Sequence, residues 1–222
     1  MRETERQAAN DDTILPEVLP IFPLSGVLLL PRAELPLHIF EARYRAMTRD
    51  ALSGTGLIGM IQPKDPHESG EKPAVYPTGC MGRISDCRQT DDGRYYMTLV
   101  GICRFRIREE LPLVEGYRRV VPDYAPFTAD LGDKTSSSVD RERLLTALAI
   151  YCERRKYQVN WDVIKKTGDD DLVSALAMLC PFEPSEKQAL LEAGGAGERG
   201  RVLVALLEMA LLGREDDKPI KH

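Results

Sequence analysis

The stretch DGRYYMTLVGICRFRIR, from Asp92 to Arg108, carries the clearest hairpin signal in the sequence. Asp92-Gly93 is a preferred two-residue hairpin turn, and it follows a segment of strand character at Cys80–Thr90. The second half of the returning segment, Tyr95–Arg108, alternates strictly between apolar and cationic side chains. The two sets are Cys103, Phe105 and Ile107, and Arg104, Arg106 and Arg108. A period of two is typical of a half-buried strand, so the stretch predicts an antiparallel hairpin.

Short strand-like segments, punctuated by proline and glycine, surround this hairpin. The candidates are Ile21–Leu24, Val27–Leu30, Leu57–Ile61 and Tyr117–Val121. One helix interrupts them at roughly Glu41–Ser53, where Tyr44, Met47 and Ala51 recur at helical spacing. These residues predict a β-rich unit with one inserted helix.

The character of the chain changes to helical after Pro126. Four longer helices and one short one are indicated, and Ser185 to Gln188 matches a capping box. The predicted organisation is a disordered tail at 1–16, a β-rich subdomain at 17–126, a linker at 127–139, a helical subdomain at 140–213 and a tail at 214–222. The predicted fold class is therefore α+β.

Composition restricts the functional classes. The net charge is −5 and the pI about 5.4, which argues against generic binding to nucleic acid or anionic membranes. Since the N-terminus has no apolar signal region and no apolar run is long enough to cross a bilayer, we expect a cytoplasmic protein. The five cysteines are odd in number and lack C-x-x-C spacing, which indicates buried free thiols.

Motifs for catalysis or cofactor binding are incomplete. Gly195–Gly200 spells G-x-G-x-x-G, but a predicted helix precedes it where a dinucleotide site needs a strand. Asp169–Asp171 suits the start of a helix better than a metal site. His38 has no second histidine or nucleophile motif to complete a site with Glu41. We therefore predict no catalytic residue, no metal and no cofactor.

The arginine face of the returning strand has two interpretations. Arg104, Arg106 and Arg108 could bind an anion such as RNA phosphate. They could also form a solvated or ion-paired face, since Asp86 and Glu110 are near in sequence. The pattern alone leaves both open.

Several blocks of sequence resemble the N-terminal domain of Lon proteases in order and spacing. They are Leu19–Leu24, Pro36–Tyr44, Gly59–Pro63, Cys80–Ile84 and three short matches within Asp92–Ile107. The resemblance implies a PUA-like β-barrel, or pseudobarrel, with one inserted helix, followed by a C-terminal helical bundle. In Lon this region binds substrates and supports oligomers. The ATPase and Ser–Lys peptidase modules have no counterpart in this sequence, so the resemblance implies a stand-alone, non-enzymatic module.

The function implied by the resemblance is recognition of unfolded or degron-bearing polypeptides in protein quality control. The predicted contact residues are apolar: Pro23, Leu24, Leu28, Leu30, Pro36 and Phe40. Further partners to consider are a separate ATP-dependent protease and a second copy of the chain, while nucleic acid and membrane are not expected. The alternatives are an RNA-binding PUA-like module that uses Arg104, Arg106 and Arg108, and a small-molecule enzyme that uses His38.

Overall fold

The computed structural model describes residues 15–65, 67, 72–132 and 138–212. The six strands are β1 (Leu19–Pro23), β2 (Glu34–Ile39), β3 (Leu57–Ile61), β4 (Thr78–Gln89), β5 (Tyr95–Val114) and β6 (Tyr117–Asp123). The helices are α1 (Ala42–Ser53), a 3₁₀ helix (Ala125–Leu131), α2 (Arg141–Arg155), α3 (Trp161–Lys166), α4 (Asp169–Leu179), α5 (Pro184–Glu192) and α6 (Ala196–Leu212). The α+β prediction is confirmed.

The strands form one mixed sheet in the order β2-β5-β4-β3-β1-β6. Strand β5 also pairs with β6, so five of the strands close into a ring and β2 adds to β5 from outside it. The pairing of β1 with β3 is parallel, and the other pairings are antiparallel. The predicted hairpin is β4–β5, and Gly93 in its turn has a φ of 78°.

Strand β5 has 20 residues and is therefore long enough to pair with three other strands. Its first part pairs with β2 and β4, and its last part pairs with β6. Irregularities in register occur beside Ile107 and Leu111 in the β5–β6 ladder. Such bulges increase the local twist and bend, which a sheet needs in order to close.

The interior of the sheet is filled by the apolar side chains that the alternation predicts. Leu19, Ile21, Cys103, Phe105 and Val120 are fully buried in one cluster. A larger cluster joins the sheet, α1 and the helical half. Helix α6 contacts α2, α4 and α5, so it is the central helix of that half.

The predicted strand at Val27–Leu30 is wrong. Leu28, Leu29 and Leu30 are buried, but their backbone is irregular. The backbone crosses close to Gly101 of β5, whose N–H donates to Ala33 O at 2.9 Å. The apolar residues of this run are therefore buried without pairing as a strand.

Two further differences concern helix starts. The expected capping box at Ser185 is replaced by one at Glu183, whose N–H donates to the Glu186 carboxylate at 2.8 Å. Gln188 does not take part in the capping box, and its side chain donates to Thr78 O of β4 at 3.1 Å.

The 3₁₀ helix lies across the start of the predicted linker and buries Phe127. Residues 1–14, 133–137 and 213–222, with most of the two predicted tails, lie outside the described residues.

The joint between the two halves is built on the buried guanidinium of Arg104. Its Nε and Nη2 donate to the two oxygens of Asp130 in the 3₁₀ helix, each at 2.9 Å. Its Nη1 donates to the carbonyls of Leu191 and Ala193 at the end of α5, at 2.9 and 2.6 Å. The side chains of Arg104 and Asp130 are 5% and 10% exposed. One cation therefore connects β5, the 3₁₀ helix and α5.

We expect Gly101→Ala to destabilise the protein by about 3 kcal/mol, because a Cβ there would lie 2.0 Å from the Leu30 carbonyl oxygen. The neighbouring atoms are backbone and have little room to move. Gly132→Ala is the control, since its nearest neighbour would be 3.7 Å away. Urea unfolding measures both variants, and equal midpoints would show that the close crossing at Gly101 is not required.

Loss of the buried ion pair should also be costly. We expect Asp130→Ala to lower the free energy of unfolding by about 3–5 kcal/mol, because it leaves Arg104 charged, buried and partly unpaired. Glu208→Ala is a matched control: Arg143 binds Glu208 in the same two-bonded geometry, but with side chains 61% and 43% exposed. That change should cost at most about 1 kcal/mol. A similar small loss in both variants would contradict the role given to Arg104.

Candidate functional site

Exposed rings occupy the outer face of the sheet where β2, β5 and β4 lie side by side. His38 of β2 is the register partner of Tyr96 of β5, and Tyr96 is the partner of Arg88 of β4. The imidazole of His38 stacks on the Tyr96 ring at 4.4 Å with an interplanar angle of 9°. Phe40 lies 5.7 Å from His38, and the Arg88 guanidinium carbon lies 5.8 Å from the centre of the Tyr96 ring. We call Pro36, His38, Phe40, Arg88 and Tyr96 the aromatic strip.

Strand alternation explains why this face carries rings that are not buried. Leu37 and Ile39 of β2 point into the core, so Pro36 and His38 point outward. Phe40 follows the end of the strand and is 57% exposed, while Tyr96 is 48% exposed. Single exposed apolar side chains are common, but adjacent exposed rings form a patch of the kind that binds other molecules.

Strand β2 is the outer strand beside β5, and no second neighbour is present among the described residues. Proline in such a strand has no N–H to offer an added strand. Pro36 therefore interrupts the row of donors that an extended peptide would need for strand addition. Contacts at this site should come mainly from side chains.

The structure separates the predicted contact residues into three groups. Pro36 and Phe40 lie on the aromatic strip. Pro23 and Leu24 are half-buried at the end of β1. Leu28 and Leu30 are 3% and 0% exposed in the core. The prediction is corrected for Leu28 and Leu30, because packing against the sheet leaves them no surface to offer a ligand.

The predicted arginine stripe is also corrected. Arg106 and Arg108 are exposed, but Arg104 is buried and already bound to Asp130. Arg118 is likewise buried and donates to Glu110 at 2.9 Å, while this guanidinium holds the pKa of the Glu110 carboxyl below its ordinary value. Elements that follow β5 in the chain cover Arg104, which the alternation alone could not indicate.

His38 and Glu41 do not converge on a shared site. The Glu41 carboxylate accepts from Arg43 Nε at 3.0 Å, and His38 stacks on Tyr96.

Burial raises the pKa of the Cys103 thiol to about 12 and that of Cys180 to about 11, so both stay protonated near neutral pH. All five cysteines are free and four are buried. The described residues contain no cluster suited to a metal ion.

The sequence patterns do not single out Tyr96 or Arg88 as contact residues. Tyr95-Tyr96 is visible as an aromatic pair in the strand, and alternation indicates that one ring faces outward. The stacking on His38 depends on the β2–β5 register, for which the sequence gives no local signal.

No helix in the described ranges has the length and apolarity needed to cross a bilayer.

Comparisons with known proteins agree with this architecture. A sequence model of the ATP-dependent protease La (LON) substrate-binding domain matches residues 18–209. The Lon protease of Dictyoglomus thermophilum is 33% identical over 107 residues, which are 48% of this chain and 14% of that protein. Lon protease 2 of Myxococcus xanthus is 23% identical over 215 residues, 93% of this chain and 26% of that protein. The chain thus spans only a minor part of the length of these relatives.

Two solved structures share the fold. The crystal structure of a Lon N-terminal domain protein from Xanthomonas campestris has a TM-score of 0.57 and 26% identity, covering 86% of this chain and 97% of that one. The N-terminal domain of the Mycobacterium avium complex Lon protease has a TM-score of 0.59 and 16% identity, covering 86% and 98%. Because the family match takes in most of the described chain, the protein belongs to the family of Lon substrate-binding domains.

Proposed function

We propose that this protein is a non-catalytic binding module for unfolded or degron-bearing polypeptides, and that the aromatic strip is its contact surface. The observation that carries the proposal is the cluster of three adjacent exposed rings, His38, Phe40 and Tyr96. The family name, a substrate-binding domain, supports the same class of ligand. The proposal places the module in protein quality control, with a separate ATP-dependent protease as the partner that degrades what it binds.

The chemistry of the strip suits unfolded chains. Unfolded polypeptides expose apolar and aromatic side chains that a folded protein buries. Rings offer a large contact area at a small cost in conformational entropy, and Arg88 adds a cation near the same face. Because His38 and Tyr96 lie on β strands with buried alternate residues and Phe40 directly follows β2, the surface is already in place before a ligand arrives.

The RNA alternative has weaker support. It requires an exposed group of Arg104, Arg106 and Arg108, and Arg118 and Arg119 of the neighbouring β6 are the arginines that could extend it. Burial and ion pairing of Arg104 and Arg118 remove two guanidiniums from that group. The arginines that remain exposed belong to a chain with a net charge of −5, which disfavours binding to the phosphate backbone of RNA.

We expect the double variant Phe40→Ser, Tyr96→Ser to raise the Kd for fluorescein-labelled β-casein by about tenfold or more, because aromatic anchors dominate such contacts. Fluorescence anisotropy measures the change. Both side chains are exposed, so the free energy of unfolding should change little. The matched control is Val163→Ser, Met209→Ser, which removes side chains 58% and 60% exposed in the helical half.

Two results would contradict the proposal. One is an equal loss of affinity in the two double variants, which would indicate general surface hydrophobicity rather than a defined site. The other is no saturable binding of the unaltered protein at about tens of micromolar, the range expected for transient contacts.

A further inference from the structure

A cleft of about 480 Å³ lies where the turn before β2 meets α4 and the start of α6. This volume is in the range of about 300–1,000 Å³ that is usual for small-ligand sites. None of the residues of the aromatic strip lines it, so it is a second site. Its lining includes the cation Arg199, the apolar side chains of Met178 and Leu179, and the carboxylates of Glu34 and Asp170.

Arg199 is a buried cation whose hydrogen-bonding capacity is only partly used. It is 6% exposed, and its Nε donates to Leu190 O at 2.9 Å. Within the described ranges, neither of its terminal nitrogens donates to an acceptor, and no carboxylate forms an ion pair with it. Burial and repulsion from Arg104 lower the pKa of Arg199 to about 10, so it is still charged at neutral pH. The carboxylates of Asp130 and Asp170 attract it through space without forming an ion pair, so an anion in direct contact would stabilise this buried charge further.

The start of α6 adds a second attraction for an anion in the same cleft. Gly194, Gly195 and Ala196 line it, and they precede or begin a helix of 17 residues. The Glu198 carboxylate already accepts from Gly194 N–H at 2.7 Å. The amides of the first helical turn that follow carry the positive end of the helix dipole. The G-x-G-x-x-G segment, unsuited to a dinucleotide, thus supplies both the helix start and Arg199.

The other walls of the cleft restrict the kind of anion. Glu34 and Asp170 are acidic, so a doubly charged phosphate is repelled more than a single carboxylate. Arginine binds carboxylates with two parallel hydrogen bonds. Beside this site Leu179 is 78% exposed, the highest value among the large apolar side chains of the described residues. An apolar group next to the carboxylate would cover Leu179 and Met178.

We infer that the cleft binds the C-terminal carboxylate of a polypeptide whose last side chain is apolar. Arg199 and the first amides of α6 hold the carboxylate, and Met178 and Leu179 contact the last side chain. The inference rests on the proposed function, since it names the part of a polypeptide that a second site would recognise.

Isothermal titration with an N-acetylated tetrapeptide, Ala-Ala-Ala-Leu, tests this in its free-acid and C-terminal amide forms. The acid should bind at least about tenfold more tightly than the amide, because only the acid forms charge-assisted hydrogen bonds. Arg199→Met should lower the affinity for the acid peptide to that for the amide peptide. Arg201→Met removes an exposed arginine from the same helix and should leave the affinity unchanged.

Equal binding of acid and amide by the unaltered protein overturns the inference, whether or not Arg199→Met folds. If N-acetylleucine binds as tightly as the tetrapeptide, the cleft takes small acids and the assignment to polypeptide ends is wrong. The double variant Phe40→Ser, Tyr96→Ser should still prefer the acid peptide to the amide, while its Kd for β-casein rises about tenfold or more. If the variant binds β-casein this weakly but the unaltered protein shows no preference for the acid, the inference about the cleft alone is rejected. If the unaltered protein does not bind β-casein at all, the proposed function is rejected.

Discussion

The arrangement of the two halves depends on the buried pair formed by Arg104 and Asp130. A guanidinium removed from water must have acceptors for its donors, and Asp130 with two α5 carbonyls provides them. These acceptors come from two separate parts of the chain, the 3₁₀ helix and the end of α5, so the pair fixes how both meet β5. The cleft beside Arg199 lies next to this joint, and its shape follows from the same contact.

The aromatic strip depends on a different constraint, the alternation of side chains along β2 and β5. Tyr95, Met97, Leu37 and Ile39 anchor the strands from inside, which fixes the outward positions of Tyr96 and His38. A site held in this way needs little rearrangement to bind. The two candidate sites therefore rest on different elements: β2 and β5 position the rings, whereas α4, the start of α6 and the turn before β2 line the cleft at the buried arginine.

Local patterns predicted the local parts of the fold well. The Asp92-Gly93 turn and the alternation after it gave β4–β5 correctly, and the helical spacing after Glu41 gave α1. The same alternation separated Arg104 from Cys103 and Phe105, but it could not show that the 3₁₀ helix and α5 cover Arg104. Leu28–Leu30 looked like a strand because burial and strand pairing select the same apolar residues. The stacking of His38 on Tyr96 depends on register between distant segments, so it needed the structure.

Binding of polypeptides to the outer face of β2 and β5 can be observed by an NMR titration of ¹⁵N-labelled protein with unlabelled β-casein, because each backbone amide reports separately. If this face is the contact surface, the largest shifts or broadening fall on the amides of His38, Phe40, Tyr96 and their strand neighbours. Little change is expected at Val163 and Met209, whose side chains are at least as exposed as those of Phe40 and Tyr96. Perturbations confined to the helical half, with the β2 and β5 amides unchanged, would contradict binding at this face.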